Sequence, residues 1–496
     1  MRNRMLAFVL LALAFLFNSL NAQTGATEYD IVLSGGRVID PETKLDAIRN
    51  VGIIQNRIAQ ISTETLKGKQ VIDVRGLVVA PGFIDLHVHG RSNKEQEYQL
   101  HDGLTTALEL EWGIENLKEW YASRQSKALI NYGASVCWPY ERFKAINTDQ
   151  KQVEELRKTS AKGESTLAGM QDAIQHTYIM PIQPGQMNAT LDNIRQSLAE
   201  GGIGIGVPIG YLPKTKPEEM YEVFKLAGEL NALVYTHVRQ PDIISIQEVI
   251  NNAVLTKAPL HIVHINSMSL GHIQMAIDMV NLARKNKYDI ATELYPYTAG
   301  STRIQSAMFD EGWQQRLGID YNDLQWVATG ERLTKETFGK YQKEGGIVIL
   351  HVMKPEWINA GIAAPEVMIA SDGMPYAPLA HPRTAGTFSR VLGKYVREDK
   401  TIDLNTAIEK MTLLPAKRLE GIAPMMRFKG RIQVGADADI TVFNPNTVID
   451  RSTFDKGLAF SEGIEYVIVN GVIALKNGKT AGNTFAGQPV FGKFKK

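Results

Sequence analysis

His87 and His89, Glu109 and Glu111, His237, His264 and Asp372 each stand at or near the end of a short apolar segment. In FIDLHVH the two histidines are one residue apart, so two-residue alternation along a strand turns both imidazoles to one side. Imidazole nitrogens and carboxylate oxygens together make a donor set suited to a zinc-type divalent ion. Such an ion lowers the pKa of a water toward about 7 and polarises a carbonyl. A neighbouring carboxylate can then carry the proton. The chemistry implied is metal-assisted hydrolysis. Taken singly each residue is a weak signal: a lone strand histidine such as His261 or His351 is more often packed and hydrogen-bonded than a ligand. The set, in this order, is much stronger.

GLTTALELEWG, residues 103–113, raises the sharpest question. Alternation places Thr105, Ala107, Glu109 and Glu111 on one face of a strand that otherwise reads as buried, and Thr106, Leu108 and Leu110 on the other. An unpaired carboxylate there would cost several kcal/mol or be forced neutral. A bound cation or a buried pairing must offset it.

The elements that position these residues are legible. FIDLHVH, TTALELE, ASVCW, GIGIGVPIG, LVYTHVR, LHIVHIN, DIATELYPY and VMIASDG read as strands. Helical patterns lie between many of them, such as PEEMYEVFKLAGELN, DIISIQEVINNAVLT and GHIQMAIDMVNLARKNK. The alternation predicts an α/β fold, a (β/α)8 TIM-type barrel over residues 83–426 with reactive groups at the C-terminal ends of its strands. Residues 301–352 read as an insertion before the last strand, carrying the strand-like GIVILHV. Short strands and turns at 23–82 and again at 427–485, including an Asn470-Gly471 turn, predict a small β-sandwich domain built from both termini. Residues 486–496, ending FGKFKK, read as a frayed tail.

The 496-residue chain has 54 Lys and Arg against 53 Asp and Glu, a net charge of +1 that gives no reason to expect a nucleic acid partner. MRNR followed by the apolar run Met5–Phe17 has the layout of a signal peptide over residues 1–22. The run is short of the about 20 residues that a bilayer span needs, so the expectation is export to the periplasm or beyond, with no stable membrane insertion. Cys137 is the only cysteine, which excludes an intramolecular disulfide. Homo-oligomerisation is left open.

APGFIDLHVH, GGIGIGVPIGYLP, YTHVR, HIVHINS, LYPYTAGST and, most specifically, IASDGMPYAPLAHPRTAGTFSRVLGKYVRE resemble the amidohydrolase superfamily, and within it the N-acyl-D-amino-acid deacylases (D-aminoacylases). The similarity runs from about Tyr29 to Lys476. It implies one or two metal ions, with His237 and His264 resembling the ligands of a tightly held zinc, and His87 and His89 those of a second, often weaker position. Asp372 resembles the aspartate that takes a proton from the metal-activated water and returns it to the leaving amine. Arg383, in HPR, resembles the residue that binds the substrate α-carboxylate through a bidentate contact, with Tyr297 assisting. Many of these deacylases have a lysine that assists carboxylate binding where this chain has Asn266, so the resemblance makes Asn266 a substrate-binding position whose neutral amide puts the details of carboxylate recognition in question.

The bridging ligand is the second departure. The family's bridging cysteine falls at Trp112, and other branches of the superfamily bridge with a carboxylated fourth-strand lysine, absent here until Lys214. A glutamate from GLTTALELEWG fills that vacancy, with Glu111 preferred over Glu109 as nearer the strand end. The expected activity is hydrolysis of the linear amide of small-molecule N-acyl-D-amino acids. A cyclic-amide hydrolase or isoaspartyl-type dipeptidase on the same metal site is the alternative. A non-enzymatic binding protein ranks below both, because no histidine of the set is missing.

Overall fold

Eight parallel strands, each contributed by one of the predicted segments, form a single sheet in chain order: β1 (Phe83–Asp85), β2 (Leu104–Ile114), β3 (Asn131–Cys137), β4 (Ile205–Pro208), β5 (Val234–His237), β6 (Leu260–Ile262), β7 (Ile290–Leu294) and β8 (Met368–Ile369). The computed structural model describes residues 28–147, 149–161, 167–482 and 484–496. The expected signal peptide lies outside them. None of the described helices is long and apolar enough to cross a membrane.

The sheet curls until its two edges meet just past β1 and β8. His89 N donates to Gly373 O at 2.7 Å, and Val88 pairs with Gly373 in parallel register. Asp85 locks this seam: its Oδ1 accepts from the backbone N–H groups of both His87 and Ser371, each at 3.0 Å. Ile84, Leu108, Leu110, Tyr235, Ala291 and Met368 form one buried cluster. Strands that are not neighbours can share such a cluster only through the barrel interior, so these residues fill it. The predicted helices follow β4, β5 and β6, as Pro217–Leu230, Ile243–Thr256 and Ile273–Lys285.

Both termini build the small domain, as expected. Nine strands make one mixed sheet, in which Ile440–Phe443 from the C-terminal region pairs antiparallel with Val78–Pro81 from the N-terminal region. Val78–Pro81 runs almost directly into β1, so the small sheet anchors the strand that carries His87 and His89. The insertion forms a three-stranded antiparallel sheet, Gly300–Arg303, Ile347–Leu350 and Leu324–Trp326, over its own core of Phe309, Trp313, Trp326 and Phe338.

The C-terminal tail departs from expectation. Its polar, basic sequence suggested fraying, yet Val490 is fully buried and Phe491 packs on Tyr121 with ring centroids 4.5 Å apart. Val490 N donates to Tyr132 O at 2.7 Å, so the segment extends the backbone pairing of β3. Burial of its few apolar residues and saturated backbone hydrogen bonds outweigh the local sequence signal.

Candidate active site

Past the C-terminal ends of the strands the predicted residues converge. His87 and His89 follow β1, Glu111 lies on β2, His237 ends β5, His264 follows β6, and Asp372 follows β8. His87, His89, Glu111 and Asp372 offer ligand atoms all within 4.8 Å of one another, and so do Glu111, His237 and His264. Glu111 belongs to both groups. Its Oε2 is 2.9 Å from His87 Nε2 and 3.0 Å from His89 Nε2, while its Oε1 is 3.0 Å from His237 Nδ1 and 3.8 Å from His264 Nε2. Asp372 Oδ1 stands 3.5 Å from His87 Nε2 and 3.4 Å from His89 Nε2.

Two of these residues hold left-handed backbone conformations, with φ of +32° at His264 and +51° at Asp372. Non-glycine residues adopt this region at a cost, and it recurs where a side chain must be aimed out of a strand end.

The two glutamates separate more than alternation predicted. Leu108 and Leu110 occupy the barrel interior, so Glu109 lies on the outer side of the strand, beside a small void walled by Arg91, Trp120, Arg124 and Tyr132. Pairing of β2 with β3 then slips between Glu109 and Ile114, and Glu111 turns into the ligand cluster. Gly113 permits the slip: its φ is +74°, and a Cβ there would lie 2.5 Å from Ser135 O. Glu109 therefore does not share a face with Glu111, as alternation had placed it. It reaches His89 Nδ1 from behind, at 3.1 Å.

Burial makes the electrostatics steep. Burial works to neutralise His87, but the charges of Asp372 and Glu293 prevail and raise its pKa from 6.5 to about 10. His89 is likewise raised against burial, chiefly by Glu109. Despite burial, contacts with His237, His264, His87 and His89 hold Glu111 well below the usual carboxylate range. Arg383 and His87 do the same for Asp372, again against burial. The cluster is a set of carboxylates that demands neutralising positive charge.

A cavity of about 270 Å³ opens onto this cluster. Arg383 lines it, 1% exposed, with Nη1 2.9 Å from Asp372 Oδ2 and the guanidinium 4.6 Å over the Tyr295 ring. Arg383 Nε has no hydrogen-bond partner among the described residues. Two sequence-predicted substrate contacts are not in the wall. Tyr297 faces away, with its hydroxyl 3.2 Å from Asp450 Oδ2, and Asn266 is fully buried, donating from Nδ2 to Tyr295 O at 3.1 Å. The strand ends at Leu294 and the chain bends over residues 296–298, so the two tyrosines do not keep the common face that alternation would give them: Tyr295 lines the cavity, and Asn266 supports its backbone.

Other residues went unread. Tyr211, Trp112 and His381 line the cavity. His381 was present in the HPR motif but carries no strand-end signal. Glu293, in DIATELYPY, bonds both His87 and His261. A carboxylate within an apolar strand was the signal available for it. His351 is remote from the cluster, bonded to Gln325 Oε1 at 3.0 Å.

Comparison with known proteins agrees with this architecture. A model of the amidohydrolase family matches residues 268–475. D-aminoacylase from Alcaligenes xylosoxydans xylosoxydans is 29% identical over 478 residues, spanning 91% of this chain and 95% of that protein. N-acyl-D-glutamate deacylase from the same organism is 28% identical, over 89% and 93% of the two chains. The crystal structure of N-acyl-D-glutamate deacylase from Bordetella bronchiseptica, complexed with zinc and a phosphonate inhibitor, shares the fold with a TM-score of 0.77 at 23% identity, over 94% of this chain and 100% of that one.

Proposed function

We propose that this chain, which carries an amidohydrolase-family domain and is homologous to D-aminoacylase over most of its length, is a metal-dependent hydrolase that deacylates N-acyl-D-amino acids. The observation that carries the reading is Glu111, whose two oxygens face two separate histidine pairs.

The residues fit a divalent ion on their own chemistry. His264 Nδ1 is buried without a hydrogen-bond partner among the described residues. His237 Nδ1 and His264 Nε2 stand 3.1 Å apart with Glu111 Oε1 beside them, so three potential ligand atoms lie together. His87, His89, Glu111, His237 and His264 would hold one or two ions, and zinc suits this nitrogen and oxygen set. When bound, such an ion supplies Lewis acidity toward the scissile carbonyl and a more acidic water.

The remaining work falls to the chain. Asp372 is held ionised, so it can accept a proton from the attacking water and pass it to the nitrogen of the departing amino acid. Arg383, stacked on Tyr295, paired through Nη1 with Asp372 and with Nε free of a hydrogen-bond partner among the described residues, is placed to receive the substrate α-carboxylate. The cavity wall beyond, including Met268, Leu270, Met308, Leu317, Val327 and Leu350, excludes water and suits an apolar side chain or acyl group. Fourth-strand lysine bridges belong to the cyclic-amide relatives, and this chain has none in β4.

Export through residues 1–22 to the periplasm or medium is part of the proposal, on the basic start and apolar run. N-terminal sequencing of the mature protein tests it.

Asp372→Asn, with metal content quantified, tests the mechanism. Metal should be retained while turnover of an N-acetyl-D-amino acid falls by on the order of 10²–10⁴-fold. Near-normal turnover by the folded variant rules the proton role out. Parallel assays on L-enantiomers, dipeptides and cyclic ureides decide between the linear and cyclic readings.

A further inference from the structure

Two carboxylates outside the ligand set make the two donor groups unequal. His87 Nδ1 lies 2.6 Å from Glu293 Oε1, and His89 Nδ1 lies 3.1 Å from Glu109 Oε2. Each of these histidines thus keeps one nitrogen on a carboxylate and presents Nε2 to Glu111. Glu293 is fixed in turn by His261 Nε2 at 3.1 Å, and Arg91 Nε stands 3.9 Å from Glu109. Among the described residues nothing comparable backs the other pair. His264 Nδ1 has no partner among the described residues, and His237 turns Nδ1 itself toward Glu111. The first group also has four donor residues against three.

A carboxylate on the far nitrogen of an imidazole fixes its tautomer and orientation and raises its basicity. Loss of such a partner typically costs about 10–100-fold in metal affinity. Resting on the metal-dependent reading above, we infer that the first metal equivalent is taken by His87, His89 and Glu111, with Asp372 alongside. Glu109 and Glu293 are positioning residues that set this order, and His237 with His264 forms the weaker position. The order is the reverse of the one implied by the family resemblance, and the chain differs from that family at Trp112, where the bridging cysteine is absent.

Calorimetric titration of the metal-stripped full chain with zinc tests the order without using activity. His264→Asn should keep the tight equivalent, and His89→Asn should lose it. Glu109→Gln and Glu293→Gln should each weaken it by about 10–100-fold while metal-free circular dichroism is unchanged. A tight equivalent that survives His89→Asn but disappears in His264→Asn overturns the order. Should a variant fail to fold, anomalous diffraction from wild-type crystals holding one zinc per chain locates the ion directly, and a peak between His237 and His264 also overturns it. A folded wild-type chain that takes up no zinc defeats the metal reading itself.

Discussion

Glu109 and Glu111, two residues apart on one strand, approach His89 from opposite sides: Glu109 is 3.1 Å from Nδ1 and Glu111 is 3.0 Å from Nε2. One histidine thus lies between a carboxylate that orients it and one that shares its ligand position. The pair of acids that looked misplaced in a buried strand has two distinct occupations, separated by the slip of β2 that Gly113 allows.

Glu111→Gln should remove binding at both donor groups together, because a neutral amide cannot offer two anionic oxygens. Metal stoichiometry should fall toward zero, and the metal-free chain should lose stability too, by about 3–5 kcal/mol, as buried protonated histidines lose their counter-charge. Zinc analysis and thermal denaturation read both. Loss of only one equivalent would show that Glu111 serves a single position.

Arg383→Lys should raise KM for N-acyl-D-amino acids. A bidentate guanidinium contact is replaced by a point charge, and kcat/KM should drop by on the order of 10–10²-fold, equivalent to about 1.5–3 kcal/mol. The corresponding N-acyl-D-amino acid amides, lacking the carboxylate, should be poor substrates whose turnover the substitution barely changes. An equal loss on both substrates would assign Arg383 to Asp372 alone, which it also touches at 2.9 Å.

Titration of the cluster predicts a pH window for the metal-free chain. His87 is raised from 6.5 to about 10, so its stabilising contribution is complete below 6.5 and is lost as pH rises through about 10. Glu293 is lowered from 4.5 to about 2, so its contribution is present above 4.5 and is lost as pH falls through about 2. The metal-free protein should therefore lose thermal stability between neutral and strongly alkaline pH. Over the same range zinc affinity should rise, with proton release on binding, since the ion displaces protons from His87 and His89. Metal affinity independent of pH above neutrality would contradict these protonation states.

The apolar wall predicts side-chain selectivity. N-acetyl-D-leucine or N-acetyl-D-methionine should be favoured over N-acetyl-D-glutamate, because among the described residues the lining arginines already face carboxylates, Arg303 that of Asp172 and Arg383 that of Asp372. Burying an acidic side chain among Met308, Leu317 and Leu350 without a counter-ion would cost several kcal/mol. Comparison of kcat/KM across such a panel checks this, and a preference for the acidic substrate would refute it.

The amino-acid sequence determined the eight strands, their order in the chain, the histidines and carboxylates at their ends and the union of both termini in a second sheet. These are local signals: alternation, apolar runs, turn residues and the polar group that ends each strand. Tertiary structure alone decided which polar groups meet. Glu293 reaches His87 across 206 residues of chain, and Asp85 reaches Ser371 across 286. Tyr295 rather than Tyr297 faces the cavity, and the basic tail packs where it was expected to fray. Barrel closure brings the first strand beside the eighth and aims β7 at β1. A carboxylate in a strand therefore acquires its partner, and its role, only when the sheet has closed.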